Sequence, residues 1–95
     1  MIIAIDFDDT FTADPRTWRS VISTLQAAGH TVICATARSH SEANERDLSA
    51  ATGVKVVFCG VEVCKRVACA WAGYEVDVWV DDTPAAVDSK IYRSR

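Results

Sequence analysis

The chain has 95 residues, 49% of them hydrophobic and 24% charged, with a formal net charge of −3. At ~100–150 residues per domain this is one domain, residues 1–95, and an apolar share that includes three Trp, three Phe and two Tyr excludes a disordered chain. Ten Lys+Arg against thirteen Asp+Glu exclude a global positive footprint for nucleic acid; with no run near the ~18 apolar residues of a membrane span and no basic segment leading into an apolar one, a cytoplasmic setting away from membranes is expected.

Ile2 to Phe7 is an apolar run with Asp6 inside it, and β-branched Ile at 2, 3 and 5 favours a buried parallel strand over a helix. The segment DDTFTADP follows, in which Asp14 and Pro15 suit an N-cap and a first helical position. Trp18, Val21, Ile22 and Leu25 then recur at three and four, predicting a helix with one apolar face that ends near Gly29. Thr31 to Ala35 is a second strand. Beyond it Ser39 and Glu42 have capping-box spacing, with Ser41 an alternative cap, and Glu42 to Ala51 reads as an exposed helix ending near Gly53. Val54 to Phe58 is a third strand, broken by Gly60. A helix is predicted from about Val61 to Ala72, closed by Gly73. Glu75 to Val80 is a fourth strand, and Thr83 with Pro84 starts a last short helix through about Tyr92.

Strands alternating with helices through short loops predict an α/β fold. It is expected to be a single-domain, Rossmann-like three-layer sandwich with a short, mostly parallel sheet of about four strands. The carboxyl ends of the strands would share one edge, where ligands bind in such sheets. Cys34, Cys59, Cys64 and Cys69 form no CxxC pair, and steps of five do not hold one helical face. Free, buried or half-buried thiols are expected rather than zinc or a disulfide.

Five of the nine aspartates fall in two short clusters at that predicted edge: Asp6, Asp8 and Asp9 after the first strand, Asp81 and Asp82 after the fourth. Solvated turns and helix caps explain such residues on a surface, and Asp9 fits either reading. Asp6, inside an apolar strand, fits the surface reading poorly. Ionised carboxylates crowded in a partly buried place cost several kcal/mol unless a cation neutralises them. A hard divalent ion with oxygen ligands is the simplest remedy; Mg²⁺ takes one or two carboxylates with water and substrate phosphate.

An apolar strand running into Asp6-Phe7-Asp8-Asp9-Thr10 resembles the DxDx[T/V] motif of the haloacid dehalogenase-like (HAD) phosphohydrolase superfamily. Thr36 at the end of the second strand, Lys65 near the start of the third helix and Asp81-Asp82 after the last strand stand in the order of that family's other signatures. The resemblance covers nearly the whole chain and implies a minimal HAD core that uses Mg²⁺. It implies that Asp6 attacks phosphorus to give an aspartyl-phosphate, and that Asp8 protonates the leaving group and then activates water. Thr36 would hydrogen-bond a phosphoryl oxygen, and Lys65 would neutralise charge on that group and on Asp6. The metal would be held by Asp6, the Asp8 main-chain carbonyl and Asp82, with Asp81 as an outer or alternate ligand. Lys55 and Arg66 compete with Lys65, although Lys55 lies at the wrong end of its strand. Asp6 and Asp8 share one side of an extended strand unless the backbone coils after Asp6.

Substrate contacts are expected from Thr10, Arg38, Phe11 and His40. Thr10 would also brace the first loop, Phe11 would line the mouth of the site, and Arg38 would meet a second anion or a surface carboxylate. Substrate choice in the resembled family comes from a cap inserted after the first or third strand. Here Thr10 to Asp14 and Cys59 to Lys65 leave no room for one. An open site suits a phosphorylated small molecule such as a nucleotide, or an exposed phosphate of a macromolecule such as a nucleic-acid terminus. A homo-oligomer would be a way to cover it. Two alternatives remain: a phosphoprotein phosphatase, suggested by DDTP, and a non-catalytic or regulatory protein-binding domain. A receiver-like phosphoacceptor is disfavoured, because Cys59 and Gly60 stand where its aspartate would follow the third strand.

Overall fold

The β-branched run at the start of the chain forms β1 (Ile2–Ile5), one of two inner strands of the sheet. The structure, a computed structural model, describes residues 1–89. Three further strands, β2 (Thr31–Thr36), β3 (Lys55–Phe58) and β4 (Val78–Val80), complete an all-parallel sheet in the order β3-β2-β1-β4. The helices are α1 (Pro15–Ala27), α2 (Glu42–Thr52), α3 (Lys65–Trp71) and α4 (Ala85–Asp88). This is a small Rossmann-like α/β domain, as the alternation of patterns predicts. Among the described residues no helix is long and apolar enough to cross a membrane.

Side chains alternate across each strand, so the four strands feed two separate cores. Ile3, Ile5, Val32, Cys34 and Val56 meet Ile22 of α1 and Leu48 of α2 on one face. Ala4, Ile33, Ala35 and Val57 meet Cys69 of α3 on the other. Burying each large aliphatic side chain contributes roughly 1.5–3 kcal/mol, and this double core holds the sheet edge rigid enough to carry buried charge. Trp18 packs on the first core and Trp79 on the second, whereas Trp71 turns its ring to solvent. All four cysteines are free, three buried and Cys64 half-buried.

Local signals set the helix boundaries. The Asp14 carboxylate accepts the Thr17 N–H, with Pro15 in the first turn of α1. Ser41, not Ser39, caps α2 by accepting the Asn44 N–H at 3.0 Å, and Gly53 closes that helix in the left-handed region. α3 starts at Lys65, four residues later than the pattern predicts. Gly60 is left-handed at φ +69°, no side chain caps the helix, and β-branched Val61 and Val63 are weak helix formers. β4 is shorter than the apolar run because it pairs only along Ile3 to Ile5 of β1. The last helix is described from Ala85 to Asp88; its expected extension through Tyr92 lies outside the described residues.

The chain steps outward from β1 to β2 and β3, then returns to place β4 on the other side of β1. The strand order therefore reverses between β1 and β4. Chain segments leaving the two strands diverge there and open a crevice at their carboxyl ends. Asp6 follows β1 directly, and Asp81 and Asp82 follow β4.

Candidate functional site

Asp6 is the first residue beyond β1, yet its N–H still bonds the Val80 carbonyl at 2.9 Å, which fixes its backbone between the two strands. The chain then coils, and the N–H groups of Phe11 and Thr12 return to the carbonyls of Asp6 and Phe7. Phe7 and Phe11 stack at 5.7 Å between ring centroids and pin this loop into the core. Asp9 makes the turn with φ +65°, the one positive φ outside glycine among the described residues. Asp and Asn tolerate that region better than other residues. Asp9→Gly should therefore leave stability nearly unchanged, while Asp9→Ala should cost about 1–2 kcal/mol, read as a drop in the urea midpoint.

A charge cluster sits under the loop. Lys65, the first residue of α3, reaches through the sheet edge with its ammonium 2.7 Å from both Asp6 Oδ1 and Asp81 Oδ2. It is only 3% exposed. The Thr10 hydroxyl lies 3.1 Å from Asp6 Oδ2 and from Asp82 Oδ1, and accepts the Asp82 N–H. Asp81 spends its other oxygen on the Thr83 N–H at 2.9 Å. One ammonium thus serves a group of three carboxylates whose oxygens lie within 4.8 Å of one another.

The electrostatics show the shortage of positive charge. Burial pushes the Asp6 carboxyl up to about 6, against the pull of Lys65 and with the neighbouring Asp82 adding to the rise. The Asp82 carboxyl is held low, chiefly by its hydrogen bond with Asp6. Burial opposes the charge on Lys65, but Asp6 and Asp81 outweigh it and raise the ammonium above its ordinary value. Three hard oxygen donors with too little positive charge fit a cation. The cluster of Asp6, Asp81 and Asp82 could hold one.

Asp8 stands on the other wall. Arg38 clasps it through Nε at 2.9 Å and Nη2 at 2.8 Å, a side-on pair that holds the Asp8 carboxyl low. The guanidinium lies 5.2 Å from the Phe7 ring centroid, and Nη1 donates to Asn44 Oδ1 at 3.1 Å. Thr36 is fully buried at the end of β2, and its hydroxyl accepts the Arg38 N–H at 3.1 Å. It sits behind the turn that carries Arg38 and does not line the cleft.

Asp6, Asp8, Arg38, Lys65, Asp81 and Asp82 line a cleft of about 230 Å³ that also takes in Asp9, Ala37, Thr83 and Ala86. No family model, curated protein or solved structure matches this chain. The cleft brings together Asp6, Asp8, Lys65, Arg38, Asp81 and Asp82 from four different parts of the sequence, with Thr10 bonded beneath them. Phe11 points into the core rather than lining the mouth. His40 pairs with Glu45 at 2.5 Å, packs edge-on against Phe58, and stays off the cleft wall. Arg66 is committed to Asp88 and to the face of Trp79, and Lys65 is the lysine that lines the cleft among the described residues. No motif marks Asn44, which holds Arg38 Nη1; its one sequence signal is a place three residues after the Ser41 cap.

Proposed function

We propose that the protein is a Mg²⁺-dependent phosphomonoester hydrolase that works through an aspartyl-phosphate on Asp6, as its HAD-like motifs imply. The observation that carries this proposal is the buried Asp6 carboxylate, held by Lys65 beside Asp81 and Asp82 at the reversal point of the sheet. A carboxylate fixed on a strand end, with a cation against one oxygen, is suited to bond a phosphorus atom that enters the open cleft. Asp6, Asp82 and the Asp8 main-chain carbonyl would hold the metal. Asp82 is favoured over Asp81, because Asp81 already shares the Lys65 ammonium and accepts a backbone N–H, whereas among the described residues the Asp82 carboxylate meets, besides Asp6, only the Thr10 hydroxyl. When bound, the ion supplies charge neutralisation and orientation for the phosphoryl group.

In the first half of the reaction an Asp6 oxygen bonds phosphorus and the ester P–O bond breaks, with Asp8 delivering the proton to the leaving oxygen. In the second half water attacks phosphorus, Asp8 takes the proton, and the Asp6 carboxylate leaves. Lys65 offsets charge on the transferred group in both halves, using the one ammonium N–H not spent on Asp6 and Asp81. Asp8, held ionised by Arg38, is ready for the proton-accepting half, and the proton it takes from water there is the one it delivers to the leaving oxygen in the next turnover. The absence of room for a cap between Thr10 and Asp14 favours a nucleotide or a terminal phosphate of nucleic acid as substrate.

The test is hydrolysis of a generic phosphomonoester, then of nucleotides, 3′- and 5′-phosphorylated oligonucleotides and phosphopeptides, each with Mg²⁺ and with EDTA. Metal-dependent turnover of a nucleotide or oligonucleotide phosphate is the expected result. Turnover of phosphopeptides alone would favour the phosphoprotein reading, and no turnover of any substrate would point to a protein-binding domain.

A further inference from the structure

Five carboxylates line the cleft against two cations, Lys65 and Arg38. Lys65 is buried, with two of its three N–H donors committed to Asp6 and Asp81. Arg38 differs: its side chain is 38% exposed. An arginine has five N–H donors, and here Asp8 takes two and the Asn44 carbonyl one. Among the described residues two remain unspent, one on each terminal nitrogen.

The guanidinium is also fixed in place. Phe7 lies against it, Asp8 holds one edge, and Asn44 holds Nη1. Asn44 is itself locked, because its amide nitrogen donates to the Ser39 carbonyl at 3.1 Å and its N–H is capped by Ser41. This degree of bracing suits a group that meets a ligand with its donors already oriented.

We propose that Arg38 seats a second anionic group of the substrate, so that preferred substrates are phosphomonoesters carrying another phosphate or a phosphodiester beside the reacting phosphate. This rests on the phosphomonoesterase function proposed above. A fixed guanidinium with two free N–H groups matches two oxygens of a phosphate or phosphodiester. Both sources of that chemistry, a small bisphosphate and a phosphorylated nucleic-acid end, present it.

The experiment compares steady-state kinetics on a nucleoside 5′-monophosphate, the corresponding 3′,5′-bisphosphate and a 5′-phosphorylated dinucleotide, with Mg²⁺, for the full chain and for Arg38→Gln and Arg38→Lys. Wild type should favour the two doubly anionic substrates in kcat/KM by about tenfold or more, chiefly through KM. Arg38→Gln should bring that ratio to within about twofold, and Arg38→Lys should keep part of it. Freeing Asp8 changes kcat for every substrate alike, so the ratio isolates the anion contact from a positioning effect. A larger gain on the dinucleotide than on the bisphosphate would assign a nucleic-acid end, and the reverse a small bisphosphate. Equal kcat/KM on all three substrates in wild type, or a preference that survives Arg38→Gln, would overturn this inference while leaving the hydrolase intact. No turnover of any of them would overturn both.

Discussion

Replacing Asp6 with Asn is expected to remove turnover by a thousandfold or more, on the order seen when nucleophiles are deleted, and to make the metal-free protein more stable. The second effect follows from the charge balance. Asp6 is buried, shares one ammonium with Asp81, and has its carboxyl raised from 3.8 to about 6. A carboxyl raised in the folded state holds its proton more tightly there than in the unfolded chain. Its stabilising contribution is complete below pH 3.8 and is lost as pH rises through about 6. At pH 8 that loss amounts to at most about 3 kcal/mol. The neutral Asn mimics the protonated acid and escapes it. In EDTA at pH 8, Asp6→Asn should melt above wild type by as much as ~12–24 °C, since a domain of this size gains roughly 4–8 °C per kcal/mol. The two melting temperatures should converge toward pH 4. A variant that melts below wild type at pH 8 would contradict this balance of charges.

Removing the ammonium should have the opposite and larger effect. Lys65→Met leaves two carboxylates in place whose side chains are only 9% and 4% exposed. Breaking a buried pair by deleting one partner costs roughly 3–5 kcal/mol, a large part of the ~5–15 kcal/mol that holds such a domain together. Urea unfolding should show the loss directly. Adding Asp81→Asn to Lys65→Met should recover a substantial part of it, because one of the stranded charges is then gone. Mg²⁺ should raise the melting temperature of Lys65→Met more than that of wild type, by supplying a replacement cation. A loss under about 1 kcal/mol would mean that Lys65 carries little of the cluster's charge balance.

Much of this arrangement was legible in the sequence because it broke local rules. Asp6 stood out as an acid inside a β-branched run, and it lies where that run ends, at the reversal point of the sheet. Asp81 and Asp82 were legible for the same reason, as paired acids directly after an apolar strand. Lys65 is marked only by its place in the order of motifs along the chain, and its ammonium reaches Asp6 across 59 positions. What was not legible depends on how the backbone coils between elements. Phe11 is an apolar residue in a polar loop, and only the turn at Asp9 sends it back to stack on Phe7 in the core. The clasp of Arg38 on Asp8 joins residues 30 positions apart on two different loops, and no periodicity encodes such a pair. Asn44 lies beyond sequence reasoning for a related reason: its role depends on which serine caps α2, and both Ser39 and Ser41 have suitable spacing.

Asp6 is expected to become transiently phosphorylated during turnover. The protein should be mixed with Mg²⁺ and a hydrolysed phosphomonoester, quenched in acid during turnover, digested and analysed by mass spectrometry. One phosphoryl group on Asp6, absent from Asp6→Asn and from an EDTA control, is the predicted result. Turnover with the phosphoryl group on another residue, or undiminished turnover by Asp6→Asn, would contradict it.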